Sequence, residues 1–142
     1  ILNTKLGASL VQMRLGLSRL KDQLFTHCIT DNPFCPVCLS CVESVTHYFL
    51  DCNAYINLRL ALFSIIDNAV KEYHIALGVN VVQGTSHSRL DMMHMVLYGL
   101  PFVRDKSRVS SSKVSVIKDL NKIIQSAVTD YMYKTQRFKP TI

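Results

Sequence analysis

Residues 33–52, PFCPVCLSCVESVTHYFLDC, carry four of the chain's five cysteines and a histidine, and how this stretch is read decides the fold. Cys35 and Cys38 form a C-x2-C pair, His47 follows after eight residues and Cys52 after four more. Three soft thiolates and an imidazole make a complete tetrahedral ligand set for Zn2+. The C-x2-C spacing suits a tight turn that lets both sulfurs reach one ion, and Pro33 and Pro36 stiffen the approach.

Cys41 forms a second C-x2-C pair with Cys38, so Cys41, Cys38, His47 and Cys52 are an alternate ligand set. The rigid bracket of Pro33 and Pro36 around Cys35 favours Cys35, because Cys41 lies closer to the helical segment that carries Glu43 and His47. Other uses of the cysteines fit poorly. Five is an odd number for a disulfide framework, all five fall within 25 residues, and a histidine shares the cluster. Four protein ligands leave no open position for a catalytic water, so the expected role of the metal is structural.

Outward from this centre the apolar spacing is helical. Ser44 to Asp51 reads as one or two helical turns, with Asn53 as N-cap of the next helix. Leu2, Leu6, Leu10, Met13 and Leu17 predict a helix from Asn3 to Leu15, interrupted at Gly16. Ser18 is expected to cap a short helix through Phe25 that buries Leu20, Leu24 and Phe25, with His27 and Cys28 as packing residues. Ile56, Leu60, Phe63, Ile66 and Val70 mark a helix from Ala54 to Tyr73, with Tyr55 packing over the metal site. Arg59, two turns on from Cys52, is placed to pair with Asp51 or face a phosphate. Gly78 to Ser88 reads as a loop or a short extended segment, and Arg89 to Tyr98 as a short helix ending at Gly99 and Pro101.

Ser110, Ser111 and Ser112 offer an N-cap for the last element. Its stripe Ile117, Leu120, Ile124, Ala127, Tyr131 predicts a long amphipathic helix to about Arg137. The expectation is an all-α fold: a small helical domain around a zinc knuckle, with N-terminal helices over 1–32, the knuckle at 33–53 and bracing and C-terminal helices over 54–142. Its core should include Leu10, Met13, Leu20, Leu24, Leu60, Phe63, Ile66, Ile117, Ile124 and Tyr131.

The chain has 142 residues, 49% hydrophobic and 18% charged, with no tryptophan. Such an apolar composition suggests surfaces made to meet a neighbour, and a start at Ile1 suggests a piece of a longer polypeptide. No apolar run approaches a membrane span and no signal peptide is organised at the start, so an intracellular, nuclear or cytoplasmic setting without membrane contact is expected. The net charge of +6 is uneven. Residues 1–30 carry four basic and one acidic side chain, 31–103 three and six, and the remainder nine and three. Basic ends suit phosphate, although Lys134, Arg137 and Lys139 are equally explained by the dipole of the last helix.

In motif order the chain resembles the region after the polymerase domain of non-LTR (LINE-type) retrotransposon reverse transcriptases, which carries a Cys-Cys-His-Cys zinc knuckle. The resemblance rests on Arg14, Gly16 and Leu20 in VQMRLGLSRLKDQLF, on CPVC, on Glu43 four before His47 in ESVTHYFLDC, and on Tyr55 and Arg59 in NAYINLRLALF. It covers about residues 10 to 67. The ending IIQSAVTDYMYKTQRF adds a weaker likeness. Asn53 stands where a proline usually follows the last cysteine, Cys41 is extra, and the span to His47 is longer.

The resemblance implies a segment that helps such an enzyme hold template RNA or target DNA beside the parent polymerase domain. Expected phosphate contacts are Arg14, Arg19, Lys21, Lys118 and Lys122. There is no polymerase Asp-Asp pair, no carboxylate run for two-metal chemistry and no Gly-rich phosphate loop, so this segment should not be an enzyme or take a small-molecule substrate. The competing expectation is a zinc-stabilised helical scaffold for protein binding.

Overall fold

The computed structural model describes residues 4–78, 88–101 and 111–138. Helices α1 (Thr4–Leu15), α2 (Lys21–Thr26), α3 (Ile56–Leu77), α4 (Arg89–Tyr98) and α5 (Ser111–Thr135) are joined by a π-helical turn at His47–Asp51 and a 3-10 turn at Asn53–Tyr55. No strand forms among the described residues; the extended backbone makes one antiparallel bridge, Phe34 with Val42. The all-α class is as expected. The chain divides into two compact units, Ile1–Leu60 with Thr129–Ile142, and Ala61–Val128.

In the first unit α1 buries Leu6, Leu10 and Met13, the i, i+4, i+7 stripe of an amphipathic helix. Gly16 ends it at φ 74°, with Leu17 N–H donating to Gln12 O at 2.8 Å and Gly16 N–H to Met13 O at 3.2 Å. This paired closure needs the left-handed conformation that glycine adopts without a Cβ penalty. Tyr48, fully buried, is the hub of the unit's core. Its ring meets Phe49 at 4.8 Å, Tyr55 at 5.7 Å, Tyr131 at 5.4 Å and Phe138 at 5.4 Å, all edge-on. Each such pair adds about 0.5–1.5 kcal/mol beyond the area buried. The Tyr48 hydroxyl shares a hydrogen bond with Thr135 Oγ1 at 2.6 Å, and the Tyr131 hydroxyl donates to Tyr48 O.

In the second unit Leu62, Ile66, Ala69, Val70 and Tyr73 of α3 are buried, as are Met93, Met95 and Val96 of α4 and Ile117, Leu120, Ile124, Ala127 and Val128 of α5. The Asn121 side chain accepts from Leu100 N–H at 2.7 Å and donates to Leu100 O at 3.1 Å. Ser88 Oγ accepts from Asp91 N–H, capping α4, whose bounds match those expected. The expected serine cap at Ser110 and the loop through residues 79–87 lie outside the described residues.

Several expectations are corrected. Leu60 and Ile56 are 66% and 47% exposed and Phe63 is half-buried, because α3 turns the face of Leu62, Ile66 and Tyr73 inward. Leu58, Leu60, Leu62, Phe63, Ile65 and Ile66 leave this helix apolar nearly all round, so its period could not fix the buried side. Helix α2 starts at Lys21 and buries no residue of its own. Leu20, just before it, is fully buried, Leu24 is half-buried and Phe25 is exposed. Ser18 is therefore not its N-cap: its hydroxyl accepts from Leu20 N–H two residues early. His27 and Cys28 are exposed rather than packed; His27 Nε2 bonds Gly16 O at 3.0 Å. Asn53 opens the 3-10 turn instead of capping α3.

A candidate metal centre

Residues 33–43 form a short hairpin. Around the Phe34–Val42 bridge, Cys35 N–H donates to Cys41 O at 2.8 Å and Glu43 N–H to Pro33 O at 2.9 Å. Pro36 enters the turn, which closes with Leu39 N–H on Cys35 O at 3.0 Å. Leu39 takes φ 62°, a left-handed conformation unfavourable for a residue with a Cβ, and its side chain is 76% exposed.

On the other side of the centre, Ser44 Oγ accepts from His47 N–H at 3.0 Å and starts the helical turn. The turn widens to the π form, in which Cys52 N–H donates to His47 O at 2.8 Å. That i to i+5 bond brings two groups five residues apart to one side, a geometry found often at functional sites.

Together these two turns gather Cys35, Cys38, His47 and Cys52, whose ligand atoms all lie within 4.8 Å of one another. Cys38 Sγ is 3.4 Å from His47 Nε2, close to the edge of about 3.5 Å expected for a tetrahedron with zinc-type bond lengths. Cys35, Cys52 and His47 are buried and Cys38 is partly exposed. Cys41 stays outside this group. Its thiol is exposed, its carbonyl is used by the hairpin, and its own N–H points at the Cys38 sulfur.

Backbone amides converge on the sulfurs: those of Cys38 and Val37 on Cys35, of Ser40 and Cys41 on Cys38, and of Ala54 on Cys52. Amides aimed at sulfur stabilise thiolate over thiol. The Ser40 hydroxyl, 3.5 Å from Cys38 Sγ, and the Ser40 amide hold the Cys38 thiol down to about 6. Burial acts the other way on the remaining two, raising Cys35 and pushing Cys52 up to about 11. The donor set therefore fits a soft or borderline divalent cation that compensates buried sulfur charge.

Glu43 is fully buried beside the cluster, its Oε2 accepting from Cys35 Sγ at 3.8 Å. Arg137 answers it with two hydrogen bonds, Nε to Oε2 at 2.8 Å and Nη2 to Oε1 at 2.7 Å. Glu43 also caps α2 from a distance, taking Lys21 N–H on Oε1 at 2.9 Å and Asp22 N–H on its carbonyl at 3.1 Å. Arg137 lies beyond the end of α5, so it serves this ion pair rather than the helix dipole. Arg59 likewise departs from expectation: its side chain donates to Phe49 O at 3.0 Å and to Cys52 O, fastening the π turn. Tyr55 is buried next to Cys52, as expected of a residue packing over the site.

Of the residues expected to meet phosphate, Arg14, Arg19 and Lys21 belong to the unit that holds the cluster, with Arg14 and Arg19 exposed and Lys21 half-buried. Lys118 and Lys122 are exposed on α5 in the other unit. Among the described residues no helix is long and apolar enough to cross a membrane. No family model, no curated protein sequence and no solved structure matches the chain.

Proposed function

We propose that the chain is a zinc-dependent nucleic-acid-binding module, the accessory region of a retrotransposon-type reverse transcriptase, that holds template RNA or target DNA and has no catalysis of its own. The observation that supports it most is the convergence of Cys35, Cys38, His47 and Cys52 within 4.8 Å, which reproduces the ligand order of the knuckle the sequence resembles. Zinc suits three thiolates and one imidazole better than the oxygen-seeking divalent ions do. Arg14, Arg19 and Lys21 sit in the same unit as that cluster and supply phosphate contacts, with Lys118 and Lys122 adding to them.

The test is binding of structured RNA and duplex DNA at increasing salt. With about four phosphates neutralised, the logarithm of affinity should fall against that of salt with a slope of roughly three to four. Lys118→Glu with Lys122→Glu should weaken RNA and DNA binding alike, without altering helicity or metal content. Binding that is absent at low salt would leave a zinc-stabilised protein scaffold as the function. That second reading draws on the hairpin, where Phe34, Val37, Leu39 and Val42 are 40–76% exposed.

A further inference from the structure

The hairpin at residues 33–43 has two unlike faces. Cys35 N–H on Cys41 O and Glu43 N–H on Pro33 O flank the Phe34–Val42 bridge. Phe34 and Val42 are therefore an opposed pair with no hydrogen bonds between them, and their side chains stand on one side, about 5 Å apart at Cβ. Cys35 and Glu43, each one residue on, take the opposite side and are buried, at 1% and 0% exposure, whereas Phe34 and Val42 are 49% and 40% exposed. The inward side is held by the cluster and by Arg137 on Glu43. The outward side sets an aromatic ring beside a branched aliphatic in water. At the turn Val37 and Leu39 add two more exposed apolar side chains, Leu39 in a left-handed conformation that glycine adopts at less cost.

Charge lies beside this face rather than on it. Residues 32–42 have no charged side chain, so the hairpin offers a phosphate nothing. Cations begin where its second strand ends. Glu43 takes Lys21 N–H on Oε1 and Asp22 N–H on its carbonyl, and the guanidinium that grips Glu43 also donates to Arg19 O at 3.0 Å. Exposed Arg19 and half-buried Lys21 are thus fastened to the residue after Val42.

We propose that the outward face of the hairpin is a stacking platform for unpaired nucleobases, the ligand being a single strand whose phosphates meet Arg19 and Lys21. The inference rests on the nucleic-acid reading above and narrows it. Every base has a planar face that an exposed ring can stack on, and stacking beside a cationic track holds single strands without reading their sequence. Bases within a duplex are already stacked on each other, so the platform selects by strandedness. Its four side chains match about one or two bases, whereas a stable protein interface takes about 20–30 residues a side.

Three probes of equal length separate base from phosphate: a single-stranded DNA, the same strand built from abasic residues, and a blunt DNA duplex. At one low salt concentration the full chain should bind the base-bearing strand about tenfold tighter than the abasic one. Phe34→Ala should abolish that difference, leave duplex binding as it was and keep the salt slope, since the phosphate contacts remain. Leu39→Gly, at a backbone position that suits glycine, should weaken the base-bearing strand alone. Phe34→Trp introduces the sole tryptophan of the chain, and its fluorescence should be quenched by the base-bearing strand and not by the abasic one. Equal affinity for the two single strands, or a tryptophan unquenched by bound single strand, would overturn the platform while leaving nucleic-acid binding in place. No binding of any probe would overturn the nucleic-acid reading itself, and the platform with it.

Discussion

Arg137 grips both carboxylate oxygens of Glu43, at 2.8 and 2.7 Å, across 94 residues of sequence. Glu43 in turn touches the thiol of Cys35 and caps α2. One buried ion pair therefore ties the end of the described chain to the first cluster cysteine and to the start of α2.

Arg137→Met should destabilise the protein by about 3 kcal/mol in chemical denaturation, because Glu43, only 1% exposed in its side chain, would be left buried without its partner. A loss below about 1 kcal/mol would show that the pair behaves like a surface salt bridge.

The fold was legible where the period was clean and the stops were chemical. Leu6, Leu10 and Met13 with Gly16 marked α1, and Tyr98 with Gly99 marked the end of α4. It was not legible in α3, whose apolar residues surround the helix. Nor could spacing choose between Cys35 and Cys41: the separating fact is the hairpin, which uses the Cys41 carbonyl and leaves its thiol in solvent. Glu43 was visible only as a motif position, and Arg137 only as one of several terminal cations, since no local pattern links residues 94 apart. Tyr48 and Phe49 escaped the expected core because the π turn presents them with a period that is neither helical nor extended.

Leu39→Gly should stabilise the chain by about 0.5 kcal/mol. Relief of the left-handed backbone at φ 62° is worth about 1–2 kcal/mol, offset in part by the greater freedom of glycine in the unfolded chain. A loss of more than about 1 kcal/mol in denaturant titration would contradict this and show that the exposed leucine side chain carries folding energy.

Zinc uptake should release about two protons between pH 7 and 9. The Cys38 thiol, held down to about 6, is already ionised there, whereas Cys35 is raised and Cys52 stands at about 11, so both must lose a proton to the ion. The sign follows: the metal-free site holds more protons than the loaded one, so affinity falls as pH falls, about a hundredfold per pH unit across this range. Calorimetry in buffers of different ionisation enthalpy reads the number directly. Release of fewer than one proton would mean that the buried thiols are ionised without metal.

The most direct measurement is the metal content of freshly purified protein and of two cysteine variants, by atomic emission and native mass spectrometry. The account predicts one zinc per chain, retained in Cys41→Ser and lost in Cys35→Ser, since Cys35 and not Cys41 lies in the cluster with Cys38, His47 and Cys52. Chelation should then open residues 27–53 first in hydrogen exchange, because metal binding of this kind contributes on the order of ten kcal/mol. A protein that carries no zinc, or one that keeps it in Cys35→Ser and loses it in Cys41→Ser, would contradict the account.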